Sequence, residues 1–313
     1  MKAKHIIGLL YHLFYKEPKN WWKLRKNRNH PKEVVDEIFT YMVRTMRWDN
    51  PQTLDEKIQW LKFNSDTTMW TLLSDKYRVR EYVKQKGLGD LLVPLIGKWD
   101  RVRDIDWDSL PDKFIMKTNH GSADAKICTD KSQIDLSTWK YHFILALHRT
   151  YGLNNIELHY SKITPCIIAE ELLDSSKQPI PSTSLIDYKV WCVNGEPKFI
   201  WACYDRKEDS VQVMMYDLLW NPVPLKCKDT PHYQIAKTLL PPPATLQYMI
   251  NSAKVLAEGF PVVRVDFYEV DGKLYFGEMT FTAAGGYNTF YSEEFQREIG
   301  EQINLGLAPK LTK

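Results

Sequence analysis

The stretch VVRVDFYEVDGKLYFGEMTFT (262–282) decides how the rest of the chain is read. VVRVDFYEV and KLYFGEMTF are rich in β-branched and aromatic residues, and Asp271-Gly272 between them is a strong two-residue turn signal, so the stretch predicts a β-hairpin. Each strand carries an acid among apolar residues, Asp266 in the first and Glu278 in the second. Burying a carboxylate costs several kcal/mol unless a partner offsets it, and two carboxylates on neighbouring strands also repel each other. Two arrangements relieve this. A divalent cation bridges both acids, as Mg²⁺ does when it is held by one or two carboxylates plus phosphate oxygens. Alternatively, each acid pairs with a basic side chain such as Arg264.

Working outward, the chain has 313 residues, 44% of them hydrophobic and 13% aromatic, enough for one large or two moderate domains with a substantial core. The net charge of +3 creates no global field for nucleic acid. The charge is uneven, however. Residues 1–31 hold eight Lys/Arg against the single acid Glu17, so this segment carries all of the chain's net positive charge. Within it, IIGLLYHLFY (6–15) is flanked by Lys2, Lys4, Lys16, Lys19, Trp21, Trp22 and Lys23. The apolar run is too short to span a bilayer, and no small-residue cleavage site follows it. Two readings remain: a segment lying on an anionic membrane surface, or a helix docked on the domain with its lysines in water. Five scattered cysteines without a CxxC pair argue against a disulfide framework or zinc site and for a reducing cytoplasm.

The periodicity predicts helices over 33–48, from Thr53 (with Glu56 completing a capping box), over 74–83, 135–150 and 246–258. Strands are expected over 91–96, 114–118, 125–128 and 166–173, a second hairpin over 187–203 with Asn194-Gly195 as its turn, and a strand over 211–218. The layout is α+β. The Asp104-x-Asp106-x-Asp108 run is read as a turn with capping acids. Trp21, Trp22, Trp60, Trp70 and Trp99 are expected to pack in cores. A nucleotide site needs positive charge and small-residue backbone near phosphate. Lys117 ends a strand before the loop Asn119-His120-Gly121-Ser122-Ala123-Asp124, and Lys76 stands near a helix start.

With these motifs in order, the chain resembles the ATP-grasp superfamily, and within it the branch similar to the teichuronopeptide-biosynthesis protein TupA. The carrying motifs are TLDEKIQWLK (53–62), SDKYRVREYV (74–83), LIGKWD (95–100), FIMKTNHGS (114–122), IIAEELL (167–173), DYKVWCVNGEPKFI (187–200) and FPVVRVDFYEVDGKLYFGEMTFT (260–282). The resemblance implies two α+β lobes clasping Mg-ATP, preceded by a short helical region. The expected layout is a basic amphipathic segment over 1–30, a helical subdomain over 31–100, a small lobe with the phosphate loop over 101–175 and a large lobe with the metal-binding hairpin over 176–313.

The activity implied is ATP-dependent joining of a carboxylate to an amine through an acyl phosphate, on a carboxylate-bearing sugar or polysaccharide precursor in surface-polysaccharide biosynthesis. By the same resemblance, Lys76 and Lys117 are the phosphate lysines, and His120, Gly121 and Ser122 belong to the loop covering the phosphates. Glu170, Glu171 and Leu173 meet adenine, while Asp187 and Lys189 line ribose and phosphates. Arg264, with Lys189, serves the transferred phosphoryl group, and Asp266, Glu278 and Thr280 hold Mg²⁺. Phosphoryl transfer relies mainly on positioning and charge neutralisation, which suits these residue types. Thr280 departs from the family's usual Asn, a better neutral ligand, and Ala123-Asp124 replaces a glycine-rich stretch. Two other readings are a glycosyltransferase of a surface-polysaccharide pathway and a nucleotide-binding protein without turnover. Localisation is expected to be cytoplasmic, at the inner membrane face if the N-terminal segment binds lipid.

Overall fold

The predicted hairpin is present in the computed structural model, which describes residues 3–311. Lys2 lies outside the described residues, and so do the side chains of Lys4 and Lys23. In chain order the helices are α1 (Ala3–Tyr11), α2 (Glu17–Lys23), α3 (Arg25–Asn29), α4 (Pro31–Met42), α5 (Leu54–Asn64), α6 (Thr68–Ser74), α7 (Val79–Gln85), α8 (Leu136–His148), α9 (Leu246–Ala257) and α10 (Glu293–Gln302). The strands are β1 (Leu95–Trp99), β2 (Phe114–Thr118), β3 (Lys126–Cys128), β4 (Ile167–Glu171), β5 (Asp187–Val193), β6 (Glu196–Tyr204), β7 (Val211–Tyr216), β8 (Tyr233–Ile235), β9 (Val262–Val270) and β10 (Lys273–Thr280).

The chain divides into two units. The first comprises Met1–Val34, Asp75–Arg78 and Val93–Leu172; the second comprises Val35–Ser74, Val79–Leu92 and Leu173–Lys313. In the first, an antiparallel sheet runs β1-β4-β2-β3. Phe114 and Met116 of β2, Ile167 and Ala169 of β4 and Phe143 of α8 form its core. Asp135 starts α8 by accepting from Ser137 N and Thr138 N.

In the second unit a six-stranded sheet runs β10-β9-β5-β6-β7-β8, antiparallel except for the β7–β8 pair. Helix α9 packs on β5, β6 and β9 through Met249, Ala253 and Leu256. Helix α5 starts with the predicted capping box, in which Thr53 accepts from Glu56 N and Glu56 accepts from Thr53 N, and such caps contribute about 1 kcal/mol. Both hairpin turns hold successive residues at positive φ: Asn194 at 53° and Gly195 at 81°, Asp271 at 56° and Gly272 at 67°. That is the geometry Asn-Gly and Asp-Gly pairs tolerate best.

Several expectations need correction. The helix over 74–83 is interrupted: α6 ends at Ser74, and residues 75–78 form a turn in which Asp75 accepts from Tyr77 N and Arg78 N before α7 begins. The first strand lies at Leu95–Trp99 rather than 91–96. Helix α4 stops at Met42, short of residue 48. Trp70 is buried and stacks on Phe281, but Trp21 and Trp22 are exposed, not core. The capping reading of the aspartate run holds, because Asp106 accepts from Asp108 N and Ser109 N. All five cysteines are free thiols.

Candidate active site

In the second unit the chemistry gathers on one face of three adjacent strands. A two-residue hairpin turn with regular pairing would set Glu278 opposite Val265, on the wrong face. A bulge between Phe276 and Glu278 shifts the register, so Glu278 pairs with Asp266 and Thr280 with Arg264. Gly277 makes that bulge possible, since a Cβ there would meet Asp266 O at 3.0 Å and Tyr268 Cε2 at 3.1 Å. On the other side of β9, Lys189 of β5 pairs with Asp266. Lys189, Asp266 and Glu278 therefore form a row across β5, β9 and β10.

Asp266 is 1% exposed and fully engaged. Arg264 grips it with two nitrogens, Nε on Oδ1 at 2.7 Å and Nη2 on Oδ2 at 2.7 Å. Lys189 Nζ adds a bond to Oδ2 at 2.6 Å and also pairs with Asp187. Burial pushes Asp266 up, but Arg264 and Lys189 outweigh it and hold the carboxyl below the usual range. Asp187 moves the other way: burial raises it, Lys189 only partly offsets that, and nearby Asp266 adds to the rise. Burial disfavours the Lys189 ammonium, yet the two aspartates outweigh that and keep it charged. Asp187 Oδ1 is buried with no hydrogen-bond partner among the described residues. Glu278 stands at the open side of the row, its side chain 39% exposed. It accepts from Thr280 Oγ1 at 3.0 Å and from Arg264 Nη2 at 3.4 Å.

The arrangement thus contains the salt-bridge alternative: Arg264 does pair with Asp266. It does not exhaust the oxygen donors. Asp266, Glu278 and Thr280 present only hard oxygen ligands, the type Mg²⁺ takes. The cluster holds two cations against three carboxylates, formally one net negative charge that suits a divalent ion.

Directly beyond Thr280 lies the loop Thr282–Asn288, with Ala284, Gly285 and Gly286 at positive φ. Three residues on one face of α5 hold it. Asp55 accepts from Asn288 N at 2.8 Å and Nδ2 at 2.5 Å, Gln59 Nε2 donates to Gly286 O at 2.8 Å, and Lys62 Nζ donates to Gly285 O at 2.5 Å. The sequence reading assigned these three no role. The signal was present as polar residues at i, i+4 and i+7 of a predicted helix, a spacing that shares one helical face.

In the first unit, Lys117 directly precedes the 118–124 loop and Lys76 bonds its backbone. Lys76 N donates to Asn119 O at 3.0 Å and Nζ to Gly121 O at 2.6 Å. Lys117 Nζ lies 2.7 Å from Glu170 Oε2 on neighbouring β4. Glu170 is buried, whereas Glu171 is exposed and its N–H donates to Pro94 O at 3.0 Å. Leu173 opens the last segment of the second unit.

The acid in the loop turns inward. Asp124 Oδ2 accepts from Thr118 N at 3.1 Å and pairs with Thr118 Oγ1, and its carbonyl bonds His142 at 2.7 Å. Asp124 therefore closes the loop as a brace. Gly121 is the residue that fits over this brace, since a Cβ there would meet Thr118 Oγ1 at 3.0 Å and Asp124 Oδ2 at 3.2 Å. Ser122 Oγ bonds Tyr151 OH at 2.7 Å. His120 is 3% exposed, and burial pushes its imidazole below the ordinary value.

The family comparison identifies an ATP-grasp protein. Residues 56–304 match the TupA-like ATPgrasp family, and the chain belongs to it. A comparison with curated proteins found no match. Among solved structures, D-alanine–D-alanine ligase from Helicobacter pylori is similar at 12% identity and TM-score 0.43, over 82% of this chain and 68% of that one. The Bacillus anthracis D-alanine–D-alanine ligase is similar at 14% identity and TM-score 0.39, over 76% of this chain and 67% of that one. The ATP-grasp ligase PsnB complexed with minimal precursor stands at 10% identity and TM-score 0.35, over 70% and 55%. The family match carries the assignment.

Proposed function

We propose that the protein is an ATP- and Mg²⁺-dependent carboxylate–amine ligase working through an acyl phosphate, and that it amidates a uronic-acid carboxylate in surface-polysaccharide biosynthesis. The observation that supports this best is the Lys189–Asp266–Glu278 row with Arg264 beside it. In this reading Asp266, Glu278 and Thr280 hold the metal, which supplies Lewis-acid neutralisation of phosphate charge. Lys76 and Lys117 receive phosphate oxygens together with the 119–122 backbone. Glu170, Glu171 and Leu173 meet adenine, and Asp187 lies toward the ribose. Arg264 and Lys189 stabilise charge on the phosphoryl group as the substrate carboxylate oxygen bonds to the γ-phosphorus and ADP leaves. An amine then attacks the acyl carbon, phosphate leaves, and the amide forms. The enzyme acts in the cytoplasm, and its N-terminal segment makes peripheral contact with an anionic membrane.

The test supplies ATP, Mg²⁺, an amino acid and a uronic acid whose carboxylate carries ¹⁸O. The proposal expects ADP, an amide and ¹⁸O in the released phosphate. Release of UDP from a UDP-sugar with no ATP consumed would instead support the glycosyltransferase reading.

A further inference from the structure

The N-terminal segment has two unlike sides. Its inner side is seated on α8. His5 is buried, its Nδ1 lies 2.9 Å from Ser137 Oγ, and its ring stacks on Tyr141 with centroids 4.9 Å apart. Gly8 passes directly beneath Tyr141, where a Cβ would come within 2.6 Å of the hydroxyl. Leu24 is buried, and Asn27 Nδ2 donates to Leu153 O at 3.0 Å.

The outer side is apolar and open. Ile6, Ile7, Leu10, Tyr11, Phe14 and Tyr15 recur at the spacing of one helical stripe, and Trp21 and Trp22 further along the segment are exposed as well. Ile7 is 68% exposed, Phe14 78% and Trp22 62%. A run of large exposed apolar side chains on one short segment marks an interaction surface. Its fringe identifies the partner's chemistry. Lys19 lies over the Tyr15 ring at 5.7 Å, Arg25 over Trp22 at 5.5 Å and Arg28 over Trp21 at 4.0 Å. Glu17, the segment's acid, lies 2.8 Å from His12 Nε2.

We infer that this stripe is a built membrane seat: Ile7, Leu10 and Phe14 enter the acyl boundary of an anionic bilayer, while the three ring–cation pairs lie at headgroup level. Interfacial Trp and Tyr present an apolar body and a polar edge, and Lys and Arg extend past them to meet lipid phosphate. An anionic surface fits because the segment sets eight Lys/Arg against one acid beside this apolar stripe, the composition of a helix that lies on lipid phosphate. The inference rests on the proposed membrane contact and names its depth and orientation. The inner side, fixed to α8, leaves the stripe facing outward without any unfolding of the segment. It does not depend on what reaction the enzyme performs.

The test is co-sedimentation of the full chain with phosphatidylcholine vesicles, with and without phosphatidylglycerol, at low and high salt. Anionic vesicles should bind the wild type, and neutral vesicles should bind it far less. Phe14→Ser with Ile7→Ser should weaken binding roughly tenfold or more at either salt concentration. Lys19→Gln with Arg25→Gln should weaken it at low salt and flatten the salt dependence. Thermal melts and solution ADP release should be unchanged in both variants, because the altered side chains are exposed. Absence of ADP release in every protein would count against the ligase reading and leave the binding result standing. The inference is overturned by equal binding to neutral vesicles, or by wedge variants that bind like wild type. It is also overturned by concentration-dependent dimers of the wild type that the wedge substitutions abolish, since the stripe would then be a contact between copies.

Discussion

At the scale of single residues, two carboxylates on adjacent strands are given different tasks by their surroundings. Asp266 is buried and saturated by Arg264 and Lys189, so it anchors the cluster's charge. Glu278 is partly exposed and accepts from Thr280 Oγ1 and, at 3.4 Å, from Arg264 Nη2, so it is the more open of the two carboxylates. Glu278→Gln should therefore abolish Mg²⁺-dependent ADP release while leaving the melting temperature within a few degrees of wild type. Full activity with unchanged metal dependence would remove Glu278 from the metal set. Asp266, Glu278, Arg264 and Lys117 were legible in the sequence because each is a charged residue within an apolar strand, whereas Lys76, between two helices, was legible only through the family resemblance. The inward turn of Asp124 was not, because a carboxylate beside a phosphate loop reads identically whether it faces ligand or braces the backbone.

At the scale of elements, the site depends on a defect in the sheet. The sequence predicts the hairpin and its turn, and regular pairing from that turn sends Glu278 to the opposite face. The single extra residue at Gly277 corrects the register. Gly277→Ala should clash with Asp266 O, move the bulge or the register, and lower stability by about 1–3 kcal/mol. Chemical denaturation checks the stability. Mg²⁺-dependent ADP release should fall more steeply than the stability loss explains, because Glu278 leaves the row. A variant with normal activity and a normal melt would show that the bulge is not needed. A glycine in a strand hints at a bulge but does not reveal which partner residue it selects, and that is why the register was not readable. Helix α10 was overlooked for another reason. Its start at Ser292, whose side chain accepts from Phe295 N, is a proper cap, but the helix is short and follows a loop rich in small residues.

At the scale of the whole molecule, the chain crosses between its two units five times. The first crossing follows the basic segment over 1–31, but the later ones carry no comparable shift in charge, so most of the interleaving is not legible in sequence. The second unit also buries an acid far from its usual state. Asp55 is driven from 3.8 up to about 6 by burial, against bonds from Asn288 and Gln296. A carboxyl whose folded pKa exceeds its unfolded value binds more protons when folded, so its contribution to stability rises as pH falls between about 6 and 4. The span is about 3 kcal/mol. Asp55→Asn should flatten that part of the stability–pH curve; denaturation curves of variant and wild type that stay parallel from pH 6 to 4 would contradict the assignment. The central claim is that Lys117 and the loop after it bind the phosphates of Mg-ATP. Calorimetric titration of Mg-ATP into wild type, Lys117→Ala and Lys126→Ala tests it most directly. The account predicts saturable, Mg²⁺-dependent binding to the wild type and a loss of about 1.5–3 kcal/mol in Lys117→Ala, the scale of a charge-assisted hydrogen bond. Lys126→Ala should lose far less. Equal losses in the two variants, or no binding heat in the wild type, would contradict it.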